Sequence, residues 1–166
     1  MKVKVKEMNF NLEHQKEQRR ILGQDMVIFC GHNSLRYEEL DDSLILVHQN
    51  IRDLSSKISE FTILLTLDNI NPQSLCFSEH HMSESNLCLI NIENYNLGSC
   101  FCCQTYQKGG FCVYVRKDIY YKSLDLIRYC EEKSLGICAV QIESVTNQQI
   151  IVCVYTDLHL KIFISY

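Results

Sequence analysis

Two short apolar runs flank one helical stretch, and that order restricts the possible folds more than any other feature of the chain. "SLILVHQ" at 43–49 and "SLCFSE" at 74–79 read as strands. Between them Ser55 or Ser56 can cap a helix in which Ile58, Phe61, Leu64, Leu65 and Leu67 recur at three-to-four spacing, giving one apolar face. "NINPQ" ends that helix, because the residue before Pro72 is pushed out of the α region. Strand, helix, strand in this order is a crossover unit, which brings the ends of both strands to the same rim of a sheet.

Asn50 and Glu79 stand just past those two strands, where ligands and reactive groups collect in α/β units. A carboxylate and a carboxamide converging there suit a hard cation such as Mg²⁺, which takes oxygen ligands and keeps several waters. The plainer alternative is a solvated strand end for Glu79 and a helix cap for Asn50.

Downstream, "CLINI", "YNLGSCFC", "GGFCVYVRK", "ICAVQIES" and "QQIIVCVYT" are short Val/Ile/Tyr-rich runs, with "QKGGF" placed as a hairpin turn. "DLIRYCEEKSLG" is a helical or irregular excursion between strands. The expectation is an α+β domain over 43–166 with a mostly antiparallel sheet. Residues 1–42 differ in character and read as an extension of uncertain order, in which "NLEHQKEQRRILGQD" could form a helix and "MVIFC" a stray strand.

A formal charge of -4 argues against a surface that binds nucleic acid by bulk charge, although an acidic metal site can lie in a locally basic groove. Arg116 and Lys117, ending a strand, are candidates for contact with a nucleic-acid backbone. The basic opening is not followed by an apolar segment of the secretory kind, and "FTILLTL" is too short to span a bilayer. The expectation is a soluble, intracellular protein without membrane contact, in nucleus or cytoplasm. In such a setting the 10 cysteines read as reduced thiols, six of them inside apolar runs. "SCFCCQTY" contains one C-x-x-C spacing, so a structural zinc site built on Cys100, Cys102, Cys103 and Cys112 is a further reading.

The blocks "HQNIRDL", "SLCFSEHHM", "KGGFCVYVRK" and "VCVY" occur in the order and spacing of one family. The chain resembles the endonuclease/exonuclease/phosphatase family over about residues 44–155, and most closely the apurinic-endonuclease-like domain of insect non-LTR (LINE-type) retrotransposons. The resemblance implies a four-layer αββα sandwich, here the N-terminal part of one, that nicks DNA with Mg²⁺ or Mn²⁺. It implies that Asn50 and Glu79 hold the metal and that Tyr155 belongs to the catalytic set and hydrogen-bonds the phosphate. His80 and His81 match a pair that follows the Glu in this branch and are expected at the rim, outside catalysis.

Asp53 stands where the family usually has Gly. "TDLHLKIFISY" follows Tyr155 without the expected Arg and Pro, and the later D-x-N and S-D-H blocks have no counterpart, Asp157 and His159 coming too early to supply them. Those blocks carry the general base and the second half of the phosphate clamp, so the expectation is a C-terminally truncated domain, inactive by itself, that self-associates through an exposed sheet edge. A non-catalytic interaction module that keeps part of the fold is the alternative.

Overall fold

A computed structural model describes residues 17–21, 24–31, 44–67, 69–105, 108–132, 134–143, 149–157 and 159–165. Strands β1 (Glu17–Ile21), β2 (Gln24–Gly31) and β3 (Leu44–Asn50) come first, then helix α1 (Leu54–Leu67) and strand β4 (Ser74–Ser78). A short helix α2 (Glu84–Leu87) precedes β5 (Tyr95–Phe101), β6 (Phe111–Arg116) and β7 (Tyr121–Leu124). A 3₁₀ turn (Ile127–Tyr129) leads to β8 (Gly136–Glu143), β9 (Gln149–Asp157) and β10 (His159–Ser165). The content is mixed α and β, as expected.

The strands form a six-stranded sheet ordered β1-β2-β3-β4-β6-β5 and a four-stranded sheet ordered β10-β9-β8-β7. β3 and β4 are the one parallel pair among the described strands, with Asn50 opposite Ser78. That pairing results from the α1 crossover, since a parallel neighbour cannot be reached by a tight turn.

Residues 17–21 and 24–31, in the stretch read as an extension of uncertain order, are strands of the first sheet. β2 pairs antiparallel with β3 from Met26↔Gln49 to Gly31↔Leu44, and β1 pairs with β2, so the sheet crosses the 42–43 boundary. Glu17–Ile21, in a stretch whose charge left a helix open, is extended. Charged residues without an apolar stripe give a helix nothing to bury, whereas the ladder along β2 satisfies the backbone of the segment.

Period-two alternation sorts the first sheet into two faces. Val47, Leu75, Phe77, Cys112 and Tyr114 face α1, which delivers Leu54, Phe61 and Leu65. Phe61 meets Phe77 edge-on with ring centroids 5.0 Å apart, and Phe77 meets Tyr114 in the same way at 6.1 Å. Leu46, Cys76, Phe101, Phe111, Val113 and Val115 form the opposite face and pack on Cys138, Val140 and Ile142 of β8. The result is three layers: helix, sheet, sheet. The sheets approach closely at the Gly98 bulge of β5, where a Cβ would lie 2.8 Å from Val140 Cγ1.

α1 begins at Leu54, ahead of both serines proposed as caps, and Ser56 Oγ donates to the Asp53 carbonyl. Leu54, Ile58, Phe61 and Leu65 hold the inward stripe, so Leu67 lies outside it and is 75% exposed. Asn69, with φ 52, turns the chain out of the helix, and Ile70 N–H donates back to the Leu65 carbonyl.

Candidate functional site

The parallel pairing continues beyond the strands. Ile51 N–H donates to the Ser78 carbonyl, Asp53 N–H to that of Glu79 and Leu54 N–H to that of His80, at 3.0, 3.0 and 3.2 Å. These bonds hold residues 50–54 against 78–80 and bring two distant side chains together. Asn50 Nδ2 donates to Glu79 Oε1 at 3.0 Å. The second carboxylate oxygen lies 3.4 Å from Arg52 Nε and 3.9 Å from His81 Nε2. With the Arg52 and Glu79 side chains 64% and 39% exposed, their ion pair is worth at most about 1 kcal/mol and leaves Glu79 available to other cations.

The backbone here is unusual. Glu79 and His81 both have φ 56, and Arg52 and Asp53 have φ 41 and 88, all in the left-handed region that side chains with a Cβ avoid. Asp53 is thus a position at which glycine would relieve strain. Non-glycine residues persist in such conformations where surrounding structure over-determines them, and they gather at functional sites.

The over-determining structure is visible. His80 N–H and His81 N–H donate to the Gly110 and Gly109 carbonyls. The His80 ring is fully buried, accepting at Nδ1 from Met82 N–H at 3.0 Å and placing Nε2 3.2 Å from the Phe101 carbonyl. Nδ1 is therefore the acceptor and Nε2 the protonated nitrogen. Burial lowers the His80 pKa and favours this neutral tautomer, with the Phe101 carbonyl acting in the opposite sense. Its neighbour Gly110 has φ 85, and a Cβ there would fall 2.4 Å from the ring. His80 is a buried corner post and not the rim residue expected; of the pair only His81 reaches Glu79.

A second buried histidine lies two residues below Asn50 on β3. His48 Nε2 is 3.1 Å from Ser78 Oγ, and burial pushes its pKa down to about 4. Beside it, Gln49 Oε1 is buried without a hydrogen bond among the described residues. Sequence reasoning passed over Arg52 and His48, and read Gly110 only as part of a hairpin turn. Only the "HQNIRD" polarity directly after an apolar strand signals the first two.

Other candidates are not brought to this rim. Arg116 ends the strand antiparallel to β4, so it stands beside the start of β4, away from Glu79. Its guanidinium is engaged by Asp118 at 2.6 Å and the Asn71 carbonyl at 3.2 Å. Tyr155 lies on β9 of the second sheet, in register with Ile137 and Lys161; its side chain falls outside the described residues. Asp157 and His159 face each other across the β9–β10 turn. The structure does not gather the four thiols of the zinc reading: Cys100 and Cys102 pack on the helix side of the sheet and Cys103 on the opposite side. Among the described residues no three His, Cys, Asp or Glu side chains converge in a metal-holding group.

Asn50 and Glu79 offer oxygen donors, one charged and partly open to solvent. That set suits a Mg²⁺-like ion that binds one carboxylate and retains waters, and does not suit a thiophilic or fully caged metal. No helix among the described residues is long and apolar enough to cross a membrane. No protein-family model matches the chain, and no curated protein matches it significantly.

Proposed function

We propose that the Asn50–Glu79 rim is the metal-binding half of a DNA phosphodiesterase cleft of the endonuclease/exonuclease/phosphatase type, nearest to that of non-LTR retrotransposons. The observation that carries this reading is the 3.0 Å Asn50–Glu79 bond, formed across the ends of two parallel strands with Glu79 held at φ 56. In this reading the α1–sheet–sheet arrangement is three layers of the αββα sandwich. Bound Mg²⁺ or Mn²⁺ would neutralise charge on a phosphodiester. Glu79 would hold the ion and Asn50 would fix the carboxylate. Arg52 would turn from Glu79 to a phosphate oxygen, and Tyr155 would meet the phosphate from the second sheet.

The D-x-N and S-D-H blocks are absent from these 166 residues. General acid–base participation is worth about 10²–10⁴-fold, so the proposal is metal binding with little or no turnover by these residues alone. A non-catalytic interaction module is the second reading, favoured by β5, which ends the first sheet with one edge unpaired among the described strands. Self-association through that edge would show as dimers in sedimentation.

Thermal unfolding with and without Mg²⁺ tests the main reading. Saturation at about a hundredfold over Kd stabilises the chain by about 2.7 kcal/mol, and the stabilisation should vanish in Glu79→Gln. Equal Mg²⁺ responses in both proteins, or none in either, would refute the metal site. Robust Mg²⁺-dependent plasmid nicking by the wild type would refute the inactivity.

A further inference from the structure

We propose that Cys100 and Cys102 form a reversible redox dithiol, closing to a disulfide on exposure to a peroxide. β5 ends at Phe101, so its last thiol and the one just past it share the helix-facing side of the sheet, both half-buried. Two residues of extended chain span about 6.6 Å, near the upper limit of the Cα separation a disulfide accepts. Cys102 lies just beyond the ladder, so drawing it in breaks no strand pairing. The neighbouring thiol is the main influence on each: Cys102 lowers the pKa of Cys100, and Cys100 raises that of Cys102, so Cys100 is the readier thiolate of the two. Cys102 Sγ is also 3.9 Å from His80 Nε2.

The chemistry balances with hydrogen peroxide as oxidant. The Cys100 thiolate attacks one peroxide oxygen, the O–O bond breaks, and a sulfenic acid and hydroxide result. The Cys102 sulfur then loses its proton and displaces hydroxide from the Cys100 sulfur, forming the S–S bond. In sum two thiols and one peroxide give a disulfide and two waters. Cys112 stands directly opposite Cys100 in register, but it is fully buried and burial raises its thiol pKa, so it is the poorer partner. Closure would draw Cys102 away from His80, linking thiol state to the corner that holds Glu79.

The test treats the reduced, folded chain with graded hydrogen peroxide, alkylates remaining thiols after denaturation, and digests with chymotrypsin, which cuts after Phe101. The expected result is a Cys100 fragment joined to a Cys102 fragment, released by dithiothreitol, appearing at lower peroxide than oxidation of the exposed Cys88. Cys112→Ser should leave the yield unchanged. A Cys100–Cys112 link, loss of the product in Cys112→Ser, or alkylation of both Cys100 and Cys102 while Cys88 oxidises would each overturn the proposal.

Discussion

Replacing Gly110 by alanine strikes the corner that orients Glu79, and its cost separates into two parts. Alanine must adopt φ 85, a left-handed conformation that costs an L-residue about 1–2 kcal/mol. Its methyl must also displace the His80 ring, which is 2.4 Å from the Cβ position and hydrogen-bonded to the Phe101 carbonyl and Met82 N–H. Moving a buried ring out of a filled site costs about 1–3 kcal/mol, and weakening its hydrogen bonds adds about 1 kcal/mol. Gly110→Ala should therefore destabilise the chain by about 3–6 kcal/mol. Urea unfolding measures this directly, provided the slope is unchanged. Gly109→Ala is the internal comparison, because its φ is 99 but a Cβ meets only Cys103 Sγ at 3.2 Å. A double-mutant cycle completes the assay. In a His80→Ala background the ring is gone, and Gly110→Ala should fall to the backbone part alone, about 1–2 kcal/mol. If the cost of Gly110→Ala is the same with and without the His80 ring, the ring contact does not hold this corner and the reasoning fails.

Asp53→Gly should stabilise the chain by up to about 1–2 kcal/mol, because φ 88 is free for glycine and strained for aspartate; a lower urea midpoint would contradict this. His48 gives a pH dependence. Its pKa is pushed down to about 4 by burial from an ordinary 6.5, so between those values the unfolded chain binds the extra proton. Stability should fall as pH drops through that window, by up to about 1.4 kcal/mol per unit, and level off below it. His48→Gln, which keeps a donor toward Ser78, should remove roughly one proton from the slope; an unaltered slope between pH 7 and 5 would rule His48 out as its source.

Hydrophobic periodicity made part of this fold legible in the sequence. The strand–helix–strand order dictated a parallel pair, and a parallel pair dictated that Asn50 and Glu79 share a rim, where a 3.0 Å hydrogen bond joins them. The inward stripe of α1 was legible at Phe61 and Leu65 and failed at Leu67, which is out of phase with Leu54 and Ile58. The C-x-x-C pair is divided by packing: Cys100 packs on the helix side of the sheet and Cys103, past the end of β5, on the other. The state of Glu17–Ile21, left open between helix and irregular chain, was not legible because a neighbouring strand and not its own composition decides it.

The geometry of the rim was illegible for a different reason. Left-handed backbone is normally announced by glycine or asparagine, and here it is carried by Arg52, Asp53, Glu79 and His81. Non-local contacts hold them there: carbonyls of Gly109 and Gly110, distant in sequence, and a histidine ring accommodated only because Gly110 has no Cβ. Local preference and tertiary demand conflict at these residues, and such conflict is uncommon where structure alone is at stake. The two glycines agree with their own backbone, whereas Glu79 does not. The strain therefore falls on Arg52, Asp53, Glu79 and His81, and of these Glu79 carries the carboxylate bonded to Asn50. A relaxed Glu79 would continue the β4 ladder, and its side chain would take the strand's alternation to one sheet face or the other. The turn at φ 56 takes it off both faces and toward Asn50, which is the placement a ligand at the sheet's end requires.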